Sequence, residues 1–160
     1  TEVSYIDVQS AREAHFLRRS VEVEIAHLLC AEITKPQIND LRDIIAHQEA
    51  AASINDFTTF TYHDNQFHGR MYEFAGVGGL WGLVDARRAH LDRLRRLNLP
   101  TKGKTEKIIK DHKAILDAIA ARKPSLAEMK IREHLKGTVS ATEQIRAHFP
   151  EYFGQSGRQD

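Results

Sequence analysis

Asp64 and His68 stand four residues apart in the run TYHDNQFHGRM, residues 61–71. A carboxylate oxygen and an imidazole nitrogen on one face of a helix are a ready pair of donors for a divalent cation. The surrounding stripe is apolar: Phe57, Phe60, Asp64, Phe67, Met71 and Phe74 recur at spacings of three and four. His68 lies beside Asp64 because four residues turn a helix about 40° beyond a full circle. The oddity repeats twice. His112 shares a stripe with Ile108, Ile115 and Ile119, and His134 shares one with Ala127, Ile131, Thr138 and Ile145. Taken singly, a histidine on an apolar stripe is more often a hydrogen-bonded core residue than a ligand, and a buried aspartate can cap or pair. Together, three helices send one carboxylate and three imidazoles inward, and a divalent cation would satisfy all four while offsetting the cost of burying them.

The other histidines fit less well. His15, His27, His47, His63, His90 and His148 fall off the main apolar stripes or at their margins, with His63 and His90 nearest to qualifying. A dinuclear carboxylate bundle needs Glu-x-x-His on two helices, and only Glu24 to His27 has that spacing; HExxH is absent. The lone Cys30 packs most simply within the first helix.

These residues need helices to position them, and the chain reads as all-α. Apolar residues recur at helical spacing almost throughout, while glycine and proline gather at a few joints. The pattern predicts six helices, over about 6–32, 36–53, 57–76, 80–97, 105–122 and 124–149, packed as an antiparallel bundle because the joints are short. The bundle is expected to enclose a central metal and ligand cavity. Composition excludes several classes: 41% hydrophobic and 28% charged residues are ordinary for a globular chain, and a net charge of +1 gives no field that would draw it onto nucleic acid or acidic membrane. One cysteine cannot form an internal disulfide, no apolar run approaches a membrane span, and the first residues lack a secretory pattern. A reducing cytoplasm is the expected location.

Three segments carry a family resemblance. DNQFHGRMYEFAG resembles the Asp-x-x-Phe-His helix of FCD-type effector-binding domains, the carboxy-terminal half of many GntR-family bacterial transcription regulators. KDHKAILDAIAARKPSLAEMKIREHL is similar to the segment that carries their later histidines, and LRRSVEVEIAHLL to their first helix. The resemblance runs from about residue 6 to 148. It implies the metal-containing branch of the family, with Asp64, His68, His112 and His134 as ligands of zinc or nickel, or of manganese or iron. It also implies a small carboxylate effector, with Arg18 at the position of an arginine that faces it, and a homodimer. Asp111 departs from the usual glutamate before the histidine, and Val77-Gly78 stands where Asn-Pro is common. On this basis residues 1–152 form the effector-binding and dimerisation domain and 153–160 a flexible tail. The winged helix-turn-helix is missing from this chain, so operator binding would fall to an N-terminal domain outside it.

Three imidazoles and one carboxylate do not fill an octahedron, and the remaining positive charge invites an anion. Arginines strengthen that preference through paired hydrogen bonds to carboxylate. Arg87 joins Arg18 as a candidate because Leu80, Val84, Arg87, Leu91 and Leu94 trace one stripe, and Arg93 is a weaker third; most of the cluster Arg87, Arg88, Arg93, Arg95 and Arg96 reads as solvated or dimer-facing. Two other functions stay open on the residues alone. One is a stand-alone mononuclear metalloenzyme, for which Glu22 and Glu73 are the only further carboxylates to consider as a base. The other is a metal-free helical interaction module. The regulator, not an enzyme, is the expected function.

Overall fold

A computed structural model describes residues 5–154 as eight α-helices and one 3-10 turn. The helices are α1 (Val8–Glu32), α2 (Lys35–Ser53), α3 (Phe57–Phe74), α4 (Gly79–Asp85), α5 (Ala89–Asn98), α6 (Lys104–Ala120), α7 (Pro124–Val139) and α8 (Thr142–His148), followed by the turn Pro150–Tyr152. No strand occurs among the described residues. The fold is therefore the all-α bundle that the periodicity predicts.

Local chemistry sets the helix starts. Asp7 accepts from Ser10 N at 3.0 Å to cap α1, and Asp56 accepts from Thr59 N at 3.0 Å to cap α3. Before α2, Thr34 and Gln37 form a reciprocal capping box, with Pro36 in the first turn where its missing N–H costs nothing. Joints of two or three residues between α1 and α2, α2 and α3, and α6 and α7 make each pair reverse direction. Helix α1 lies along α7, α2 along α3, and α6 against both α2 and α7.

Two expected helices are each broken in two. The single helix over 80–97 stops at Asp85 and restarts at Ala89, through a tight turn in which Arg87 N and Arg88 N bond to Val84 O and Asp85 O. That turn swings Arg88 into the protein, where it is 1% exposed, donates to Asp85 at 2.5 Å and to Asn65 at 3.2 Å, and stacks over Trp81 at 4.7 Å. The helix over 124–149 breaks likewise at Ser140 and Ala141. Ile145 consequently leaves the stripe it shares in sequence with His134.

The apolar core has two parts. The larger joins α1, α2, α3, α6 and α7 through residues such as Leu29, Leu41, Phe67, Ile115 and Ile131. A smaller cluster gathers Ile6, Ala11, Ala14, Leu91, Leu94, Ile145 and Phe153. Phe153, assigned to the tail from sequence, is buried there, so ordered packing continues past residue 152; residues 155–160 lie outside the described residues.

Candidate metal centre

The inward stripes of three helices converge. Helix α3 brings Asp64 and His68, α6 brings His112 and α7 brings His134, and one donor atom from each lies within 4.8 Å of the others. His134 Nε2 is 3.2 Å from both His68 Nε2 and His112 Nε2, and His112 Nε2 is 3.6 Å from Asp64 Oδ1. Asp64, His68 and His112 are wholly buried. Phe67 closes one side, its ring stacked on His112 at 4.2 Å.

The far nitrogen of each imidazole faces an oxygen. Gln48 Oε1 accepts from His112 Nδ1 at 2.7 Å, Glu22 Oε2 is 2.9 Å from His68 Nδ1, and Asp111 Oδ2 is 3.5 Å from His134 Nδ1. The Glu22 contact is off-line and the Asp111 contact long, so only the Gln48 bond is well formed. Their common effect is to favour the tautomer with hydrogen on Nδ1 and a lone pair on Nε2. His134, whose Nδ1 contact is the longest, is the ring whose Nε2 would donate to His68 or His112 at 3.2 Å in the other tautomer. With hydrogen on Nδ1 in all three rings, three Nε2 lone pairs and the unpartnered Asp64 Oδ1 face one another without a shared hydrogen. Such a set repels itself unless a cation sits between, so the residues present fit a divalent ion.

Electrostatics keep the donors in their ligating forms. Burial, helped by the Arg18 charge, lowers His68 to about 4, and burial beside His134 holds His112 well below the ordinary imidazole value. Asp64 is pushed up by burial, but Arg95, His68 and His112 outweigh this and hold it well below the carboxylate range. Glu22 is likewise held at about 2, Arg18 and His68 overcoming its burial.

Arg18 is buried on α1, donates from Nε to Glu22 at 2.6 Å, and leaves Nη2 without a hydrogen-bond partner. It lines a hollow of about 30 Å³ beside His134, together with His15, Arg95, Lys104 and Asp111. Arg87 is not brought there. The turn after α4 leaves it exposed among Ser10, Glu13 and Leu17, because the stripe that pointed it inward required one continuous helix. Arg93 is half-buried and does not line the hollow. Arg95 takes the inward place, its guanidinium paired with Asp64 Oδ2 and, at 3.4 Å, with Asp92.

Glu22 is the inward carboxylate that sequence reading did not commit to, and Gln48 was missed altogether. Both were findable by the test that singled out His112: Glu22 continues the stripe Ala11, Ala14, Arg18, Ile25 and Leu29, and Gln48 the stripe Leu41, Ile44, Ile45 and Ala51. Of the remaining histidines, His15 lines the same hollow as Arg18 with its buried Nε2 lacking a hydrogen-bond partner, while His63 and His90 are occupied elsewhere. His63 stacks on His47 at 5.0 Å, and His90 Nδ1 accepts from Asp7 N at 3.1 Å. Glu73 is exposed and bound to Arg70.

Residues 13–137 match the FCD domain family. The chain belongs to that family. This FCD domain is 34% identical over 151 residues to an uncharacterized HTH-type transcriptional regulator from an unstable DNA locus of Streptomyces ambofaciens, covering 94% of this chain and 63% of that protein. It is 23% identical over 153 residues to the HTH-type transcriptional repressor RspR of Escherichia coli K12, covering 96% of this chain and 67% of RspR. An uncharacterized HTH-type regulator of Shigella flexneri, YdfH, matches to the same extent. The chain thus spans just under two thirds of the Streptomyces relative. Its family is the FCD domain, and the relatives it resembles are named HTH-type transcriptional regulators. No helix of the described residues is long and apolar enough to cross a membrane.

Proposed function

We propose that this FCD domain is the ligand-sensing part of a GntR-type regulator and that it holds one divalent ion on Asp64, His68, His112 and His134. The observation that carries this is the convergence of three Nε2 atoms and an unpartnered Asp64 oxygen, with an oxygen facing every Nδ1. Three imidazoles with one carboxylate suit zinc or nickel, and also manganese or iron. When bound, the ion supplies a positive centre for a carboxylate effector. Arg18 orients the effector with its free Nη2, while Glu22 fixes Arg18 and His68 together.

Residues 1–152 serve as the effector and dimerisation domain, and the DNA-binding domain lies in sequence outside this chain, as the longer HTH-type relatives suggest. The effector acts by binding one arrangement of a cytoplasmic homodimer better than another, and so changes operator affinity. Metal analysis of the purified chain tests the core of this: about one divalent ion per chain is expected, lost in His68→Ala and His112→Ala. A folded wild type that takes up no zinc, nickel, manganese or iron on titration refutes it.

A further inference from the structure

The hollow beside His134 adjoins a second one. The two share Arg95, Lys104, Ile108 and Thr138, but differ greatly in size: about 30 Å³ for the inner and 400 Å³ for the outer. The inner volume suits roughly one or two waters or a small head group, whereas the outer is at the lower end of the range that houses whole small ligands.

Their linings differ as well. Phe57, Phe60, Leu99 and Ile108 make an apolar wall in the outer hollow. Several of its polar groups are already committed: Thr61 donates to Phe57 O at 2.8 Å, and Asp92 is paired with Arg95 and Arg88. Lys104 stands at the junction, half-buried, its ammonium without a hydrogen bond or ion pair among the described residues, and burial lowers its pKa. The carboxylate lining the inner hollow, Asp111, offsets Lys104 only in part because it is already paired with Lys107 at 2.7 Å. The ammonium beside Arg95 therefore favours an anionic group there, and the apolar wall favours what would follow it.

Resting on the effector reading above, we infer that the effector is a monocarboxylate with an apolar body, aromatic or branched aliphatic. Its head enters the inner hollow between Arg18, Arg95 and Lys104, and its body lies against Phe57, Phe60, Leu99 and Ile108. Against Phe57, Phe60, Leu99 and Ile108 a polyhydroxy acid of equal size would strip water from hydroxyls that find no partner there. Beyond the committed groups and those that take the head, only Thr58, Arg96 and Thr138 line the outer hollow to receive them, so it is disfavoured.

Calorimetric titration of the zinc-loaded chain with 3-phenylpropanoate, acetate and gluconate tests this. The aromatic acid should bind at least tenfold more tightly than either of the others. Phe57→Ala should reduce that advantage several-fold while zinc content and acetate binding stay unchanged, and Lys104→Met should weaken 3-phenylpropanoate and acetate alike without loss of zinc. Gluconate binding as tightly as 3-phenylpropanoate, or an unchanged preference in Phe57→Ala, overturns the inference and leaves the metal reading intact. A chain that takes up no zinc instead overturns the metal reading beneath it, and is recognised before any acid is added.

Discussion

The two sides of the buried polar centre are built on different principles. On the α3, α6 and α7 side the donors are short, stiff and wedged: imidazoles stacked on one another and on Phe67, with an oxygen facing each far nitrogen. On the α1 and α5 side the groups are long arginines: Arg18, fully buried, keeps Nη2 without a hydrogen-bond partner, and Arg95 reaches in to Asp64. A rigid donor set suits a resident ion that must not exchange geometry. Long side chains with unspent donors suit an anion that comes and goes, because they can re-aim at modest cost.

That contrast can be broken or sharpened by experiment. Stripping the ion with a chelator should have the largest effect. With free metal at about a thousand times Kd, ion binding contributes about 4 kcal/mol, so melting should drop by roughly 10 °C; scanning calorimetry with and without chelator measures it. Acidifying the stripped chain comes next. The unfolded chain protonates His68 below about 6.5 whereas the folded chain resists to about 4, so stability should fall as pH drops through that window, by on the order of 3 kcal/mol. Glu22, held at about 2, extends the loss at still lower pH. A denaturation midpoint that does not move between pH 6.5 and 4 would count against neutral, buried imidazoles.

Arg88→Ala should cost about 2 kcal/mol in urea denaturation, through the lost Trp81 stack and the loosened turn between α4 and α5, with metal content unchanged. Gln48→Ala should do the reverse, weakening metal affinity about 10- to 100-fold in competition titrations with little loss of fold. Arg87→Ala should be nearly silent, within about 0.5 kcal/mol and without effect on acid binding, because its side chain faces solvent.

The same division governs what could be read in advance. His112 and Asp64 sit in unbroken helices whose apolar neighbours report the inward direction, so a polar residue on the stripe is visible from spacing alone. Arg95 is invisible by that route. Its inward aim depends on a turn at Ala86–Arg88 that no proline or glycine announces and that is stabilised by Arg88 contacts with Asp85, Asn65 and Trp81. Asn65 acts from α3, and a tertiary contact of that kind overrides helical periodicity. Phe153 is a milder case. Only the cluster formed with Ile6, Leu91 and Ile145 gives it a place to go, and Ile6 and Leu91 are remote in sequence.

Helix α5 is a short rod, about 15 Å long, with two unlike faces. Leu91 and Leu94 are embedded among Ile6, Ala11, Ala14 and Phe153, and the adjoining His90 is bonded to the backbone of Asp7. Arg95, one turn on from Leu91, holds Asp64. The amino-terminal approach to the domain and the aspartate of the proposed ion site are therefore gripped by the same rigid piece. In a close-packed interior such a piece is expected to shift as a whole, so displacing Arg95 should carry to Ile6.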